Sequence, residues 1–239
     1  MLTLHTGLFT SHIFLGSLAL ILFWIPIFSR KGGLDHIKFG RYYGFTMYAV
    51  ALSGALMALM VIYDPIALKG HLLNENSDQQ NFIVQIRIFW GFLLFLSLLT
   101  YTSVRQGFAA LVYKQNTQPL RRISHLAPLL LLLIGGLVMF GFGIMQGKTL
   151  HTVFGILGVV ISSGMLRYCF NKAPKPKQWL LEHFGGMIGS GIGAYTAFIA
   201  FGGRRLFADL GSMQLVFWIA PGVIGSIAIY YLSRKYQTK

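Results

Sequence analysis

Seven apolar runs, each long enough to cross a bilayer as a helix, leave this chain little choice of architecture. They fall at about 5–28, 38–63, 82–104, 123–146, 150–170, 180–201 and 213–233. A hydrocarbon core of roughly 30 Å needs about 20 helical residues. Within lipid every backbone amide must be satisfied inside the protein, so only helices and closed barrels span. Barrel strands are about ten residues long, and these runs are twice that. Composition agrees: 11% of the residues are charged, against roughly 25% in a soluble domain. The expected fold is all-α, a polytopic transmembrane bundle of seven spans in a single domain over residues 1–239. The longest polar connection, Asp64 to Asn81, is too short to fold alone.

The basic residues predict an orientation. Fifteen of the 20 Lys and Arg lie in the connections after spans one, three and five or at the C-terminus. The other side holds Lys69, Arg87, Lys148, Arg204 and Arg205. Cationic loops stay in the cytoplasm, which places the N-terminus outside and the C-terminus in the cytoplasm. The net charge of +14 is thereby read as contact with anionic phospholipid at the cytoplasmic face, not with nucleic acid. Nothing in the pattern specifies a protein partner or a homo-oligomer. Cys169 is the single cysteine, which excludes an intrachain disulfide and a C-x-x-C-H haem attachment. The segment MLTLHTGLFTSH lacks a basic n-region, so a cleaved signal peptide is not expected.

Histidines are the main chemical clue. His5, His12 and His151 fall toward the outer ends of their spans. His36, His125 and His183 each open a span from the cytoplasmic side, and His71 lies in an outer connection. Each can be an interfacial residue bonded to headgroups or helix carbonyls. Ionisable groups within spans also tend to face the bundle and mark sites. Two imidazoles on facing helices can hold a non-covalent b-type haem. The pairs expected are His12 with His151 on the outer side and His36 with His183 on the inner side. A glycine follows His12, His36 and His151 by four residues, at Gly16, Gly40 and Gly155. It would leave room for a porphyrin edge, and Arg87 could meet a propionate. An alternative is zinc held by His36, His125 and His183, with Asp35 or Glu182 nearby, as in an intramembrane hydrolase. A third is a non-enzymatic carrier of a small molecule or lipid, or an assembly partner. Whether the chain is an enzyme stays open, because no P-loop, H-E-x-x-H or G-x-S-x-G motif is present.

Small residues mark where helices approach. Gly40 and Gly44 open span two, and Gly185, Gly189 and Gly193 recur at every fourth residue of span six. That spacing lets backbones pack closely in a membrane.

Three stretches together resemble a known family. They are H-x-x-x-G-x-L-A-L running on through K-G-G-x-x-H-x-x-x-G-x-x-Y-G (His12 to Gly44), H-x-x-G-M-I-x-x-x-I-x-A-Y-T-A-F (His183 to Phe198) and W-I-A-P-G-V-I-G (Trp218 to Gly225). Tyr101, Arg105 and Gly107 add a fourth, weaker signature. The chain is similar in these to a bacterial family of multi-pass predicted membrane proteins of unknown function. There the basic turn is usually followed by H-R-x-x-G-R-x-Y; here it is followed by His36-Ile-Lys-Phe-Gly40-Arg-Tyr-Tyr43. The resemblance implies a seven-span protein of the bacterial inner (plasma) membrane and supplies no activity. It favours His12, His36 and His183 over His5, His71 and His125.

Overall fold

A computed structural model describes residues 1–73, 78–202 and 214–237. Arg204, Arg205 and Lys239 of the charge pattern, and Met213 of the seventh span, lie outside the described residues. The elements are α1 (Leu2–Phe28), α2 (Leu34–Tyr63), a short α3 (Pro65–Lys69), α4 (Gln79–Tyr113), α5 (Ile123–Met145), α6 (Thr149–Phe170), α7 (Gln178–Ala197) and α8 (Gln214–Gln237). All but α3 are long and apolar enough to cross a membrane. Among the described residues the protein is therefore all-helical, with seven candidate spans, as the apolar runs predict. The chain divides into two compact units, Met1–Tyr101 and Thr102–Lys239.

In the first unit α1 lies along α2. Pro26 stands inside α1, which ends two residues later. The last carbonyls of a helix have no amide to accept from, and here side chains supply the donors. Ser29 Oγ donates to Ile25 O at 2.6 Å, and Lys31 Nζ donates to Pro26 O at 2.8 Å. Gly32, at φ +77°, makes the turn that a side chain would strain. The connection after α2 contains α3, which the hydropathy reading leaves as loop. Its helix start is local chemistry: Asp64 Oδ1 accepts from Ala67 N at 2.9 Å, and Pro65 occupies the first helical position.

In the second unit α5 packs on α6, and α7 on α8. The α5–α6 contact is made by glycine. A Cβ on Gly155 would lie 2.5 Å from Phe140 N, and one on Gly136 would lie 2.9 Å from Val159 N. α4 runs to Tyr113, nine residues beyond the span end read at 104. Its added turns are held by packing: Ala110 joins Leu120, Leu129, Met165, Tyr168 and Cys169 in a buried cluster. Tyr168 is fully buried, and its hydroxyl donates to Lys114 O at 2.5 Å. A buried hydroxyl without that acceptor would cost about 1–3 kcal/mol.

The glycine stripe expected on the sixth span is resolved differently. Gly185 and Gly189 have nothing within 4 Å of a built Cβ, whereas a Cβ on Gly186 would fall on Ser103 O of α4. The close face of α7 is one residue round from the one the i, i+4 spacing selects.

Candidate functional site

In the first unit His12 hangs from α1 with its ring half-buried. Its Nδ1 lies 2.9 Å from Ser53 Oγ on α2. Ser53 has one hydroxyl proton and donates it back into its own helix, to Ala49 O at 2.8 Å. The hydroxyl oxygen is then the acceptor, so His12 carries its proton on Nδ1 and its Nε2 is the basic nitrogen. Gly54 makes this approach possible: a Cβ there would lie 2.8 Å from Ser97 Oγ and 3.3 Å from His12 Cε1.

His36 opens α2 and is also half-buried. Its Nδ1 is 3.0 Å from Pro26 O, one of the orphaned carbonyls at the end of α1. A carbonyl only accepts, so His36 too is protonated on Nδ1. Pro26 lies 14 residues beyond His12, about 21 Å along the helix. His12 and His36 therefore serve different levels and cannot share one ion. Arg87 is exposed, and its Nε donates to Ile62 O at 3.1 Å, closing the end of α2. His5 is buried on the first turn of α1, against Trp90.

The second unit assembles a polar chain across three helices. Gln106 of α4 is fully buried; its Nε2 donates to Glu182 Oε2 of α7 at 2.8 Å. Its Oε1 accepts from His125 Nε2 of α5 at 2.9 Å. The amide is satisfied at both ends, and His125 is thereby protonated on Nε2, the opposite tautomer from His12 and His36. One residue on, Gly107 O accepts from His183 Nδ1 at 3.1 Å. Small residues permit this register: a Cβ on Gly107 would lie 3.2 Å from His183 O and 3.1 Å from Met187 Sδ. Arg105 adds a bond from its guanidinium to Ser124 O at 3.1 Å. Three consecutive residues of α4 thus tie down the opening turns of α5 and α7.

His151 sits at the other end of this unit, buried, with its ring 5.3 Å from that of Phe142. The space beside Gly155 is filled by α5 backbone, so that glycine serves helix packing. Gly16 has open space around it, and Gly40 meets the Pro26 ring at 4.0 Å.

The seven histidines therefore fall into classes that the sequence leaves mixed. His12, His36 and His183 are half-buried, with Nδ1–H anchored to an oxygen of a neighbouring helix. His5, His125 and His151 are buried, and His71 is exposed. The expected haem pairs, His12 with His151 and His36 with His183, each take one ligand from each unit. Of the zinc set, His125 gives its Nε2 proton to Gln106. Among the described residues no three His, Cys, Asp or Glu side chains gather as a metal-holding group.

Sequence reasoning missed Gln106 and Ser53. Neither residue type titrates, so a pattern of ionisable groups does not select it. The available signal for Gln106 was its place, an amide inside an apolar run between Arg105 and Gly107. No family model, curated protein or solved structure matches this chain.

Proposed function

We propose that this is an electron-transfer protein of the bacterial inner membrane that binds b-type haem, with His12, His36, His151 and His183 as the candidate ligands. One observation carries the reading: His12, His36 and His183 each bring Nδ1 to an oxygen of a neighbouring helix, and the carbonyls facing His36 and His183 hold the proton on Nδ1 and leave Nε2 basic. An imidazole that ligates a metal is ordinarily oriented in this way, its other nitrogen donating to a carbonyl or similar acceptor. The three are the histidines that the motif resemblance also selects, and their rings stay half-exposed. Haem so bound supplies one-electron chemistry; this chain supplies the ligands, their orientation and an apolar surround. His151 has the weakest support of the four, because α5 occupies the room beside its glycine. The basic connections support a cytoplasmic C-terminus in contact with anionic phospholipid.

A second reading is a non-enzymatic carrier or assembly partner. The Glu182–Gln106–His125 chain favours it, since it places a carboxylate, an amide and an imidazole in an apolar bundle with no cofactor required.

The deciding experiment is a reduced-minus-oxidised absorption spectrum of detergent-purified protein expressed with haem supply, with metal analysis alongside. A Soret band that His183→Ala or His12→Ala weakens supports haem. Absence of the band rejects it. One zinc per chain transfers the argument to His36, His125 and His183; absence of both leaves the carrier reading.

A further inference from the structure

His5 is a buried imidazole with an unmet polar atom. Its residue is 5% exposed, and Nε2 has no hydrogen-bond partner among the described residues. The residue lies one turn from the start of α1. A polar group buried without a partner costs about 1–3 kcal/mol, so its retention asks for a ligand atom.

What surrounds it is cationic and aromatic. Trp90 of α4 meets the His5 ring edge-on, centroids 5.9 Å apart. Lys69 of α3 lies over the same indole, its Nζ 5.0 Å from the ring centroid, and within electrostatic reach of His5. The nearest acid in sequence, Asp64, is engaged in capping α3. Burial holds the Lys69 ammonium below the ordinary lysine range. A desolvated ammonium recovers interaction energy from a nearby anion. Arg87, one turn before Trp90, is exposed beside the end of α2 and adds a second cationic group to this end of the unit.

We propose that His5, Lys69 and Trp90 form a binding site for a phosphate group, with His5 Nε2–H donating to a phosphate oxygen. Lys69 supplies the charge, as a lysine does for phosphate. Trp90 supplies an apolar wall, and indoles are enriched at bilayer interfaces. The phosphate has two sources, a phospholipid headgroup or a free phosphate ion, and both present the same oxygens.

The test uses full-length protein labelled with 15N-histidine in phosphate-free maltoside. The His5 Nε2 resonance is followed while inorganic phosphate is added, and separately after transfer to phosphatidylglycerol nanodiscs. A shift with inorganic phosphate identifies the free ion; a shift in the nanodiscs alone identifies the headgroup. Native mass spectrometry then counts retained phospholipid. We expect His5→Phe and Lys69→Met each to weaken binding at least about tenfold, the loss of one charge-assisted bond. His5→Gln, which keeps a donor, should retain binding. Thermal melting confirms that the variants are folded. An unmoved resonance with both probes overturns the proposal, as does undiminished binding by folded His5→Phe.

Discussion

Gln106 bridges Glu182 and His125: its amide gives 2.8 Å and 2.9 Å bonds to side chains on two other helices. The bridge closes the end of the second unit where α4 stops and α5 and α7 begin. Removing its centre leaves two polar groups stranded. Gln106→Ala should lower stability by about 1–3 kcal/mol for each orphaned group. The triple change Gln106→Leu, Glu182→Leu, His125→Phe should recover much of that, because no unpaired partner remains. Unfolding in detergent, followed by intrinsic fluorescence, compares them. A single variant as stable as wild type would contradict this account.

Gly186 and Gly185 make a contrasting pair. Gly186→Ala puts a methyl on Ser103 O and must push α7 from α4; overpacking of this kind costs about 1–3 kcal/mol. Gly185→Ala meets nothing within 4 Å and should lie within about 0.5 kcal/mol of wild type. Melting temperatures of the two variants read the difference directly.

Ser53 is predicted to matter only through His12. Ser53→Ala removes the acceptor that fixes the His12 tautomer. If His12 ligates haem, haem retention should fall about 10–100-fold, the usual cost of losing a ligand's supporting bond. His125→Ala should leave the haem spectrum unchanged, because His125 faces Gln106. Soret absorbance per protein after washing measures both.

Lys69 gives stability a pH dependence of known sign. Burial lowers its folded pKa below the usual value of about 10.4. Between the two values the unfolded chain holds a proton that the folded one has released, so stability rises with pH across that window. Below the lowered value the penalty of a desolvated ammonium is fully present. In phosphate-free detergent, melting temperature should climb as pH rises toward the ordinary lysine value of about 10.4. Lys69→Met should flatten that component. An unchanged slope in the variant would assign the rise to other groups.

The orientation is open to chemical labelling. Lys175, exposed in the α6–α7 connection, carries the rule that puts the C-terminus inside. A Lys175→Cys protein should react with an impermeant maleimide in inside-out vesicles and stay protected in right-side-out ones. Cys169 is buried and should contribute no background.

The spans were legible in the sequence because hydropathy is a property of one helix against lipid. Each of the seven apolar runs became a helix with nearly the expected ends. The exceptions have local or tertiary causes: α3 rests on an Asp64 cap, and the last nine residues of α4 rest on packing of Ala110 with α5 and α6. The levels of the histidines along their helices followed from the same counting. What counting could not give is azimuth. Spacing selected Gly185 and Gly189, but Gly186 meets α4, since the facing side of a helix is fixed by its neighbour and not by its own repeat. Likewise the sequence sorted the imidazoles by level and by motif but left their hydrogen-bond partners open. Only the tertiary structure, by bringing Ser53, Pro26 and Gly107 oxygens to Nδ1 of three and Gln106 to Nε2 of a fourth, decided which nitrogen each keeps basic.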